Sequence, residues 1–105
     1  MKKVACHVLI LPQDKRLSMQ VVELSCEGLI TDYYAMNGEG AATEWIPGIC
    51  VLLPVSITPD TKDSIDSLIS KLKSNPFDEG YHLWKAVGLP VDAPSDRCPE
   101  HWVKY

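Results

Sequence analysis

Apolar residues in the first half of the chain come in short runs separated by polar turn sequences. Val4 to Leu11 is nearly continuous, which predicts a strand over Lys3–Leu11 with both faces covered. Pro12 to Arg16 reads as a polar loop. Ser18–Leu24 and Leu29–Met36 follow as two further strands. Cys26-Glu27-Gly28 lies between them, with a glycine where a tight turn needs positive φ. That turn sets their register, because a slip of one residue would turn the buried set outward. Asn37 to Thr43, with two glycines beside two alanines, reads as a loop. Glu44 to Leu53 is another apolar run, interrupted by Pro47-Gly48. Proline cannot donate to a ladder, so the run bends, bulges or begins a new strand at Ile49.

The period changes after residue 57. Ile65, Leu68, Ile69 and Leu72 fall at i, i+3, i+4 and i+7, with Asp66, Ser67, Ser70 and Lys73 on the outer side. Thr58 is placed to cap this helix, Pro59 suits its first position, and Asp60 and Asp63 favour its positive end. Asn75-Pro76 ends it. The predicted helix spans about 59–74. Residues 76–88 admit either a second helix or a short strand over Tyr81–Val87; Gly80 inside a helix would cost about 1 kcal/mol, which favours the strand. Pro90, Pro94 and Pro99 exclude long regular structure beyond it, leaving a tail anchored by Trp102 and Tyr105. The fold expected is α+β: one domain over 1–105, with an antiparallel meander or sandwich of four or five strands and one amphipathic helix packed on it.

Composition narrows the function classes. The 105 residues are 46% hydrophobic, enough for one core without metal or disulfide support. Net charge is −4, and the ten basic residues form no face that would displace counterions from nucleic acid. No apolar run approaches the roughly 20 residues of a membrane span. Met1-Lys2-Lys3 ahead of an apolar run superficially imitates an export signal, but no small-residue cleavage site follows, and a cytoplasmic location is expected. The four cysteines (Cys6, Cys26, Cys50, Cys98) are widely and irregularly spaced, which points to reduced thiols.

Candidates for chemistry are sparse. Cys98-Pro-Glu-His101 is a C-x-x-H pair that Cys6 and His7 would complete as a zinc site, although adjacent strand residues point to opposite faces. Cys26 or Cys98 would serve a cysteine nucleophile if exposed beside a histidine. Asp60, Asp63 and Asp66 fit a solvated helix start, and Glu23, Asp32 and Glu44 an acidic outer sheet face. No phosphate-binding, dinucleotide-binding, nucleophile-elbow or zinc-protease motif occurs, so no catalytic residue and no cofactor is assigned. The aromatics carry more. Tyr33 and Tyr34 are consecutive, so one faces away from the core. Tyr34, Trp45, Trp84 and Trp102 are the candidates for an interface or a pocket.

Val4-Ala-Cys-His-Val-Leu, Met19-Gln-Val-Val-Glu-Leu, a Glu-Gly turn, Leu29-Ile-Thr-Asp-Tyr and the run into Pro47-Gly48-Ile49 form one ordered pattern. Over residues 2–54 it resembles the small N-terminal β-sandwich segment of amidohydrolase-superfamily proteins. The barrel is absent, and Ile49-Cys-Val-Leu-Leu-Pro-Val-Ser stands where that family carries its H-x-H metal pair. The resemblance implies a scaffold without the hydrolase machinery. The leading functional expectation is a non-catalytic domain that forms a homodimer or binds a protein partner. A small metal-dependent or cysteine-based enzyme and a small-molecule binder, with Trp84 or Trp102 lining a pocket, are the alternatives.

Overall fold

The computed structural model describes residues 2–11, 15–35, 44–60, 62–73, 80–90, 92–94 and 96–105. Within these described residues six strands and one helix follow in chain order: β1 (Lys2–Ile10), β2 (Arg16–Leu24), β3 (Ile30–Ala35), β4 (Glu44–Pro54), α1 (Ile65–Lys73), β5 (Tyr81–Val87) and β6 (His101–Lys104). They form one sheet in the order β3-β2-β1-β4-β5-β6.

The sheet is mixed, and this corrects the antiparallel meander of four or five strands. β1 pairs antiparallel with β2 but parallel with β4. The hairpin of β2 and β3 leaves β3 running in the direction of β1. The chain then re-enters on the far side of β1, so β4 shares that direction too. β5 adds antiparallel to β4, and the tail supplies a sixth strand on β5. The strand reading of Tyr81–Val87 is the one observed. The loop expected over Asn37–Thr43 and the helix stop at Asn75-Pro76 lie outside the described residues.

The sheet curls until its β3 end reaches β5. Leu29, just ahead of β3, bridges to His82 of β5, although β2, β1 and β4 lie between them in the sheet. The concave face encloses one core, built from Val4, Cys6 and Leu9 of β1 with partners from β2, β4 and β5. The convex face carries a second core of Val8, Ile10, Ile49 and Val51 beneath Ile65, Leu68 and Ile69 of α1. This is why β1 reads as a continuous apolar run. Both of its faces are covered, as expected of a strand central to a two-sided sheet.

Alternation along β1 changes phase at His7. Val4 and Cys6 face the concave core, yet Leu9 does so as well, while Val8 faces the helix. β2 does the same: Val22 and Leu24 face the concave core, and so does Leu17. The register flanks this step with Cys6 opposite Gln20 and Val8 opposite Ser18, which puts His7 opposite Met19. Met19 has φ +54°, a left-handed conformation that ordinary side chains rarely adopt. In β4 the same level is met by Gly48 at φ +100°, and the pairing with β1 slips between Cys6 and Val8. Pro47-Gly48 is therefore a bulge within one strand and not a strand break. β1 and β2 change phase together with their register intact, and the bulge in β4 lies at the same level.

The helix begins later than its sequence signature suggests. Ser64 is the cap: its Oγ accepts from the Ser67 N–H at 3.2 Å, and its carbonyl accepts from the Leu68 N–H at 3.1 Å. Residues 57–60 lie outside regular structure, and Pro59 among them is buried. The misreading has a physical cause. Thr58-Pro59-Asp60 meets the local rules for a helix start, but Asp63 and Asp60 bond each other instead. The Asp60 N–H donates to Asp63 Oδ2 at 3.0 Å, and the Asp63 N–H donates to the Asp60 carbonyl at 2.9 Å. That reciprocal turn precedes the helix. The Cys26-Glu27-Gly28 turn is as expected. Gly28 has φ +81°, and its N–H donates to the Ser25 carbonyl at 3.0 Å.

Candidate interaction site

At this phase change His7 of β1 stands next to Trp45 of β4. The His7 and Trp45 rings lie 6.0 Å apart between centroids, inclined by 38°. Trp45 is 45% exposed and Met19 is 40% exposed, both high for large apolar side chains. The register explains how Trp45 is carried. It pairs with Ala5, Ala5 with Val21, and Val21 with Tyr34, so the four form one row across β4, β1, β2 and β3 on a common face. Ala5 and Val21 are fully buried, while Trp45 at the end of the row is not. The backbone beside this row is braced by Gln20, whose Nε2 donates to the Ser18 carbonyl at 3.2 Å across Met19.

Tyr33 and Tyr34 separate as consecutive strand residues must. Tyr34 stands in the Val21 row, and Tyr33, 41% exposed, stands in the row of Val22 and Val4 on the other face. The three acidic residues expected on one sheet face do not share it. Glu23 pairs with Asp32, but Glu44 stands in the Val4 row and pairs with Lys2 at 3.5 Å. Lys2 also lies 5.9 Å from the centroid of the Tyr105 ring. Burial pushes the Tyr105 hydroxyl above its usual range, with Cys50, Glu44 and Cys6 nearby acting in the same direction.

Other sequence candidates disperse. Cys6 faces the concave core, whereas His7 reaches Trp45 on the other side. Cys98 is exposed and its thiol donates to the Lys62 carbonyl at 3.4 Å, while His101 sits on β6 opposite Val87. Among the described residues, no three cysteine, histidine or acidic side chains come together as a metal-binding group. Cys26 is exposed in the β2–β3 turn; Cys6 and Cys50 are buried. The Cys50 thiol is held strongly protonated by the neighbouring Cys6 thiol and by burial, with Lys85 acting against them. A thiol so placed is not a nucleophile.

Trp84 and Trp102 pack against the helix-side core. Trp102 Nε1 donates to the Asp60 carbonyl at 3.1 Å and ties β6 to the turn before α1. Trp84 Nε1 is buried with no hydrogen-bond partner among the described residues. Neither Met19 nor the Asp63 network was visible from residue patterns. Asp63 is 7% exposed and accepts from Lys71 Nζ at 3.0 and 3.2 Å and from Ser67 Oγ at 3.0 Å. Burial raises its pKa, but the bonds from Asp60, Lys71 and Ser67 together outweigh that and hold the carboxyl below its ordinary value.

No family model, curated protein or solved structure matches the chain. Among the described residues, no helix is long and apolar enough to cross a membrane.

Proposed function

We propose that the chain is a non-catalytic domain that acts through protein contact, in the first instance with a second copy of itself, and that the surface around Trp45 makes the contact. The observation that carries this reading is an exposed indole 6.0 Å from the His7 ring, with a strained and exposed Met19 opposite His7 on the next strand. A non-glycine residue in the left-handed region costs roughly 1–3 kcal/mol, and such strain clusters where a protein uses its surface. Tryptophan and methionine are both enriched in interface centres, and tryptophan is among the residues whose truncation costs most there.

The resemblance of residues 2–54 to the N-terminal segment of amidohydrolase-superfamily proteins supports the same reading, since that segment is scaffold. A two-fold dimer is the form proposed for self-association, that being the commonest closed arrangement.

Sedimentation velocity over a concentration series tests the proposal. The unmodified chain is expected to move from monomer toward dimer, and Trp45→Ala to stay monomeric at the same concentrations with an unchanged unfolding midpoint. A chain that is monomeric throughout leaves only the partner-binding form of the proposal. Self-association that Trp45→Ala does not weaken overturns the assignment of the surface.

A further inference from the structure

No further inference is drawn: the strongest candidate, the buried thiol pair of Cys6 and Cys50 between β1 and β4 in the concave core, stands three positions apart in the strand register, with Leu9 and not Cys6 opposite Cys50, and only the raised proton affinity of Cys50 links the two thiols, which shows neither a ligand nor a bond between them.

Discussion

Asp63 shows how one side chain can organise a chain segment. Its carboxylate receives the Asp60 N–H, the Ser67 hydroxyl and the Lys71 ammonium, and so links the turn before α1 to that helix's second turn. Leaving such partners unsatisfied costs roughly 1–3 kcal/mol. Asp63→Ala is therefore expected to lower stability by about that amount, read as a lower urea midpoint at unchanged slope. The pH dependence follows from the direction of the shift. The folded-state pKa lies below the ordinary value of 3.8, so the stabilising contribution is present above that value and is lost as pH falls through the folded pKa. Asp63→Asn should show a shallower loss of stability below pH 3.8 than the unmodified chain; an identical acid limb would count against the network. The thiols divide in the same residue-by-residue way. Alkylation of the native chain is expected to modify Cys26 and Cys98 rapidly, with Cys6 and Cys50 reacting only in denaturant, as intact-mass measurement would record.

Elements were legible where the signal is local. The Gly28 turn, the unbroken apolar character of β1 and the stripe Ile65-Leu68-Ile69 each follow from residues close in sequence, and each is present. The start of α1 was not legible, because Thr58-Pro59-Asp60 and Ser64 both meet capping rules and only the Asp60–Asp63 bonds select Ser64. β6 was hidden by the prolines ahead of it, Pro90, Pro94 and Pro99. A four-residue edge strand needs little regular sequence when Trp102 anchors it from outside the sheet. The shared phase change was half visible. Pro47-Gly48 signals it in β4, but nothing in Met19-Gln-Val-Val marks a residue with positive φ. That residue gives a test at this scale. A glycine adopts φ +54° without the penalty carried by methionine, which is about 1–2 kcal/mol. Met19→Gly is expected to raise the unfolding midpoint while weakening self-association. A fall in both would show that Met19 packs as ordinary core and that its conformation carries no functional strain.

At the scale of the molecule, strand order is the property that residue patterns carried least. Pairing β1 with β4 joins segments some forty residues apart in parallel, and no turn sequence records that choice. The curl that follows brings Leu29 to His82 and shortens the open edge of the sheet. Edge protection continues on β3, where the Tyr33 N–H donates to Asp32 Oδ1 at 2.8 Å and is thereby occupied within its own strand. Strand addition at that N–H is disfavoured for that reason, and the contact proposed is the Trp45 surface instead. Hydrogen–deuterium exchange at low and high protein concentration tests this most directly. Protection is expected to rise with concentration at the start of β4 around Trp45, and at residues 6–8 and 18–20. Protection that rises instead along β3 or β6, with the Trp45 segment unchanged, would contradict it.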